Sequence, residues 1–240
     1  IDLYSTIDVT ISQNSFVKYT GTFSSLRFIS TSNVDSLDNL SLYIVNNYMD
    51  ATHATSYGFA RAIHLGSVDQ SLISGNTFVE CGDGYVTTLT GVINVASIKS
   101  VMITSNSFYR CYQICLYVST VSNGQLTVSN NTFTDYYSSG SGTYAIYDFG
   151  AGNIINIIGN SIVRGTKSAT YVNETGLYTS CSTNGAYILY TSNNFSRATT
   201  PIYATTVVCI YAEEPTSDRI FRTFTSLAPT CLLYTSDAAD

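Results

Sequence analysis

The 240-residue chain has no tryptophan, three prolines, two methionines and two histidines. Charged residues make up 11% of it, against about a quarter in an average soluble domain. Only ten are Lys or Arg and the net charge is −6, which argues against a nucleic-acid partner. The Ala, Glu, Lys, Leu and Arg that build coiled coils and helical bundles are scarce, so neither is expected. No apolar run approaches the roughly 18 residues that mark a membrane-spanning helix. Hydrophobic residues reach 45%, enough for an ordered core, so wholesale disorder is not expected. What is abundant is Ser and Thr (64 together), Tyr (20) and Asn (18).

These residues are arranged in a repeat: apolar, any, apolar, two residues, Asn, any, large apolar. Its copies are VTISQNSF (Val9 to Phe16), LYIVNNYM (Leu42 to Met49), SLISGNTF (Ser71 to Phe78), VMITSNSF (Val101 to Phe108), LTVSNNTF (Leu126 to Phe133), INIIGNSI (Ile155 to Ile162) and ILYTSNNF (Ile188 to Phe195). The alternation before each Asn is the period-2 signature of a strand with one buried face. Asn tolerates the left-handed conformation and bonds nearby backbone, so it suits a bend between two strands. Stacked about 4.8 Å apart, such Asn side chains can hydrogen-bond along a ladder and satisfy amides buried at the bend.

A second strand precedes most copies: Ala62–Leu65, Val92–Val95, Cys115–Val118, Ala145–Asp148, Gly176–Thr179 and Pro201–Ala204. Short polar turns join it to the repeat. Each coil therefore has three short strands and three corners. The expected core includes Ile73, Phe78, Ile103, Phe108, Leu126, Val128 and Phe133.

This arrangement resembles the right-handed parallel β-helix of the pectin-lyase-like superfamily. The N-[ST]-F-x-x-C form at Asn76 to Cys81 and Asn106 to Cys111 is most similar to the repeats of non-catalytic surface proteins. The resemblance spans most of residues 5 to 205 and implies an all-β solenoid of about seven coils. It also implies a secreted or cell-surface location, with a polysaccharide or a surface protein as partner. A leucine-rich solenoid shares the Asn pattern, but it needs another apolar residue eight before each Asn. Five of the seven positions lack one: Thr6, Asn39, Asn123, Gly152 and Gly185.

The fold hosts many functions, so function must rest on particular residues. Non-catalytic binding of carbohydrate or protein is the leading expectation. A polysaccharide lyase or glycoside hydrolase is the alternative, needing paired carboxylates or clustered acids beside a base. The acids here are scattered, at Asp69, Glu80, Asp83, Asp135, Asp148 and Glu174, and His53 and His64 lie in different elements. No residue set calls for a metal or cofactor.

Equivalent residues of successive coils stack. Four positions after the Asn stand Lys18, Glu80, Arg110, Asp135, Arg164 and Arg197, expected as an exposed salt-bridge ladder. Cys81 and Cys111 are equivalent too, and buried free thiols are preferred to a disulfide between them. In the second strand the outward residues are His64, Asn94, Tyr117, Tyr147, Tyr178 and Tyr203. They follow the inward Ile63, Ile93, Leu116, Ile146, Leu177 and Ile202. The stacked tyrosines are the candidate ligand-binding stripe, on the face where the resemblance places bound polysaccharide. The same tyrosines also read as a stabilising aromatic stack.

The ends are read separately. No leader precedes the first repeat, and the chain opens on Ile1, so the solenoid, residues 1 to 230, is expected to be a fragment. Residues 231 to 240 match ten consecutive codons of a transposase-type sequencing adapter. They are expected to be non-native and to continue no coil.

Overall fold

The computed structural model describes residues 1–3, 8–17, 25–31, 41–52, 59–66, 68–82, 91–96, 98–120, 124–136, 143–148, 154–163, 175–179, 187–195, 198, 200–204, 209–213 and 232–234. Among the described residues there is no helix, and each coil contributes to three parallel sheets rather than to the one sheet of a leucine-rich solenoid. The strands pair in parallel and form three sheets, with successive strands of the chain passing from sheet to sheet. This is a parallel β-solenoid.

The first sheet holds Asp2–Leu3, Ser25–Thr31, Phe59–Leu65, Ile93–Ala96, Ile114–Thr120, Tyr144–Asp148, Thr175–Thr179 and Thr200–Ala204. The second carries the alternating half of each Asn repeat, in Asp8–Ser12, Ser41–Val45, Val68–Ser74, Ile98–Thr104, Gln125–Ser129, Ile154–Ile158, Tyr187–Thr191 and Cys209–Glu213. The third, just after each Asn, holds Ser15–Val17, Tyr48–Asp50, Thr77–Val79, Ser107–Tyr109, Thr132–Thr134 and Ser161–Val163. Among the described residues only six coils give the third sheet a strand, against the expected seven coils. At the next level Asn194 makes only an isolated bridge to Ser161.

The seven expected core residues all lie in one buried cluster with no solvent exposure. Phe78, Phe108 and Phe133 stack along the axis, with centroids 4.8 and 5.0 Å apart. Asn14, Asn47, Asn76, Asn106, Asn131, Asn160 and Asn193 form the ladder. Each backbone N–H donates to the Oδ1 of the next Asn at 2.9–3.0 Å, and each Nδ2 donates to the same atom at 2.9–3.2 Å. From Asn47 onward Nδ2 also reaches a carbonyl of the preceding coil at 2.7–2.9 Å. The bend itself differs from expectation. The left-handed residue is the one before each Asn: Gln13, Asn46, Gly75, Ser105, Asn130, Gly159 and Ser192, with φ between 54° and 66°. The Asn side chain is thereby freed to bridge coils rather than to close its own turn.

The charged ladder is not exposed. Arg110 pairs with Glu80 at 2.6 Å, with side chains only 19% and 15% accessible, and Asp135 is buried. All three have φ near +50°, which tucks their side chains against the corner. Lys18, Arg164 and Arg197 lie outside the described residues. Cys81 and Cys111 are free thiols, buried, each directed at backbone carbonyls 3.5–3.8 Å away. Leu232–Tyr234 corrects the expectation for residues 231 to 240: it pairs with Ile210–Ala212 as a ninth strand of the second sheet. The open edge of Cys209–Glu213 offers unpaired backbone groups with which a following segment can pair.

Candidate functional site

The outer face of the first sheet carries the candidate site. Backbone pairing puts His64 opposite Asn94, Asn94 opposite Tyr117, Tyr117 opposite Tyr147, Tyr147 opposite Tyr178 and Tyr178 opposite Tyr203. The six expected residues therefore share one column. Ile63, Ile93, Leu116, Ile146 and Leu177 point inward beside them. The side chains of Ile202 and Tyr203 lie outside the described residues.

A second column runs along the same face, and the sequence pattern hides it. At the entry to these strands two successive residues are buried: Ala62 and Ile63, Val92 and Ile93, Cys115 and Leu116, Ala145 and Ile146. Simple alternation would send the first of each pair outward. The break leaves Arg27, Arg61 and Tyr144 accessible three residues before their column members, whereas Ile114 and Thr175 at the equivalent position are buried. Tyr144 accordingly meets Tyr147 edge-on at 5.0 Å, and Arg27 Nη1 donates to Ser30 Oγ at 3.4 Å. Arg27 and Arg61 are direct neighbours across adjacent strands, and Ser30 lies opposite His64. Arg27, Arg61 and Tyr144 were not among the expected site residues.

The tyrosines stack as expected but are less open than expected. Rings of Tyr117 and Tyr147 are 5.5 Å apart at 25°, and those of Tyr147 and Tyr178 are 4.4 Å apart at 7°. Tyr144 also meets Tyr178 edge-on at 5.3 Å. Tyr147 is only 5% exposed and Asn94 only 6%, while His64, Tyr117 and Tyr178 are half-buried. Gly91 packs tightly against the backbone of Tyr117. A Cβ there would lie 2.7 Å from the Tyr117 backbone nitrogen. The stacked ring faces are thus spent on one another, and the accessible parts of His64, Tyr117 and Tyr178 remain for a ligand.

Electrostatics follow from this packing. Burial pushes the Tyr117 phenol up. Burial, then the Tyr178 hydroxyl through charge and a hydrogen bond, pushes Tyr147 up further. Both are neutral donors at physiological pH. Burial lowers His64 to about 4, helped by the Arg27 and Arg61 guanidinium groups. Its Nδ1 is buried and meets no hydrogen-bond partner among the described residues.

The acids offer less. Asp69 is held by Lys99 at 2.8 Å and Glu80 by Arg110. No group of three His, Cys, Asp or Glu residues among those described is placed to hold a metal. Among the described residues no helix is long and apolar enough to cross a membrane. Asp83 and Glu174 lie outside the described residues, as does the side chain of Asp148.

Fold and ladder define the class: a parallel β-solenoid repeat protein with an asparagine ladder. Comparison with family models, with curated proteins and with solved structures finds no match to the chain.

Proposed function

We propose that the protein is a non-catalytic, secreted or cell-surface solenoid that binds a glycan chain along the outer face of its first sheet. The observation that carries this is the single register of His64, Asn94, Tyr117, Tyr147 and Tyr178. It leaves His64, Tyr117 and Tyr178 accessible at alternate rungs, with Asn94 and Tyr147 closed between them, and this regular spacing of about 10 Å suits a polymeric ligand. Neutral phenols combine an apolar body with a hydroxyl that donates and accepts, as sugar hydroxyls require. The Ser, Thr, Asn and Tyr content and the low charge support an extracellular setting. A surface protein is the other partner such a face suits. No observation favours the lyase or hydrolase alternative.

The test is a glycan array probed with the wild type and with a Tyr117→Phe, Tyr178→Phe variant, which keeps the stack and removes two hydroxyls. Binding by the wild type, weakened about tenfold in the variant through loss of hydrogen bonds, is expected. Wild-type binding that the variant retains in full would reject this face.

A further inference from the structure

Resting on the secreted or cell-surface reading, we propose that Asn130 is an N-glycosylation site of this chain. An acceptor asparagine needs Ser or Thr two positions on. Two positions after each ladder Asn stands a core side chain instead: Phe16, Met49, Phe78, Phe108, Phe133, Ile162 or Phe195. The hydroxyls of Ser15, Thr77, Ser107, Thr132 and Ser161 come one position too early, so no ladder Asn is an acceptor. They come at the right spacing for the corner residue before the ladder, provided that residue is Asn. Only Asn46 and Asn130 are Asn at that corner, and Tyr48 follows the first while Thr132 follows the second. Asn130-Asn131-Thr132 is thus the acceptor sequence that the repeat itself builds. Asn39 and Asn173 also head acceptor sequences and lie outside the described residues, as does Ser196 of Asn194-Phe195-Ser196.

The two adjacent asparagines are placed oppositely. Asn131 is buried, with Nδ2 donating to the Ile103 carbonyl and to Asn160 Oδ1, and its own Oδ1 accepting from Asn106. Asn130 is exposed, and its side-chain amide makes no hydrogen bond among the described residues. Its backbone is fixed independently, by φ 54° and by the N–H donated to the Ile158 carbonyl at 2.9 Å. Substituting Nδ2 therefore breaks no bond of the fold. The surroundings leave room. Ser105 and Gly159 occupy the same corner in the adjoining coils, and Ser107 and Ser161 lie opposite Thr132. The corner joins the second and third sheets, so a glycan there leaves the first-sheet face free. Asn46 is an internal comparison: it is exposed at the same corner, its Oδ1 lies over Gly75 as Asn130 Oδ1 lies over Gly159, and it lacks only the hydroxyl residue. The co-reactant is a lipid-diphosphate-linked oligosaccharide of the secretory pathway. Asn130 Nδ2 forms a bond to the sugar C1 and gives up one proton. The bond from C1 to the diphosphate oxygen breaks, and the lipid diphosphate leaves with its electron pair.

The test expresses the full chain behind a signal peptide in cultured insect cells, so that a missing glycan counts against the site and not against the location. Peptide-N-glycosidase in heavy-oxygen water turns a glycosylated Asn into a heavy-oxygen Asp, which peptide mass spectrometry reads. Asn130 should carry this label in the major secreted species. Thr132→Val, which keeps Asn130, should remove it. Tyr48→Thr, which gives Asn46 the missing hydroxyl, should add a second labelled position there. An unlabelled Asn130 in the secreted wild type overturns the proposal without reliance on any variant. A label at Asn130 that persists in Thr132→Val marks spontaneous deamidation and overturns it too. The binding face is judged separately on the glycan array, where Asn130→Gln should bind as the wild type does. Array binding with Asn130 unlabelled rejects the site alone, whereas a labelled Asn130 in a protein that binds no array glycan keeps the site and rejects the binding face.

Discussion

At the scale of the residue, the Asn side chain does what no other residue type could do in its place. Asn106 donates through its backbone N–H and Nδ2 to Asn131, reaches the Ile73 carbonyl, and accepts twice from Asn76. Asn106→Ala would orphan the buried Asn76 N–H and the Ile73 carbonyl, at about 1–3 kcal/mol each. A loss of roughly 3 kcal/mol in denaturant unfolding is therefore expected. Asn14 stands exposed at the ladder's end, and no donor reaches its Oδ1 among the described residues, so Asn14→Ala should lose about 1 kcal/mol or less. Equal losses would mean the ladder bonds are not what holds the corner. His64 gives a pH signature. Its folded value of about 4 lies below the ordinary value of about 6.5. Between those limits the unfolded chain binds more protons, so stability is full above about 6.5, falls as pH drops, and levels off below about 4. Thermal melts should show this slope, and His64→Gln should flatten it.

At the scale of the element, alternation was legible and its interruptions were not. Period-2 patterning located seven of the nine strands of the second sheet and most of those of the first, because each buries one face; Cys209–Glu213, in the stretch 206–230 expected to be irregular, and Leu232–Tyr234 escaped it. Ser25–Thr31 escaped, since Leu26-Arg-Phe-Ile-Ser30 precedes no polar turn of the recurring kind. The double inward step at Ala62 and Ile63 conceals Arg61, and the same offset conceals Arg27 and Tyr144. Small and large apolar residues side by side read as ordinary core, so only the fold reveals which neighbours return to the surface. The left-handed residue was equally hidden. Gln, Asn, Gly, Ser, Asn, Gly and Ser occupy it in turn, a set that shares a tolerance rather than a side chain. Two of these corners are glycine for a steric reason. At Gly159 a Cβ would fall 2.5 Å from Asn130 Oδ1 of the preceding coil. Gly159→Ala should therefore destabilise by about 1–2 kcal/mol, the left-handed cost of an ordinary residue, plus the clash. Ser105→Gly, at φ 56°, should be close to neutral. Urea midpoints of the two variants check both, and a neutral Gly159→Ala would show that the corner relaxes.

At the scale of the whole molecule, one register does everything. It stacks the phenylalanines, threads the ladder and ranges His64 to Tyr178 along one face. The repeat made this column readable in advance, because equivalent residues of a solenoid must lie above one another. Its degree of closure was not readable, because burial of Tyr147 depends on Tyr144 and packing at Tyr117 on the close approach of Gly91. The binding face exists only if that register holds across coils. The most direct test uses nitroxide labels on cysteines introduced at Ser107 and Ser161, with Cys181, Cys209 and Cys231 replaced by Ser and the buried thiols of Cys81, Cys111 and Cys115 left in place. Thr132 lies opposite both, so the two sites are two rungs apart on the third sheet, about 10 Å. The account predicts strong dipolar broadening in the continuous-wave spectrum of the doubly labelled protein. A spectrum equal to the sum of the two singly labelled ones would contradict it.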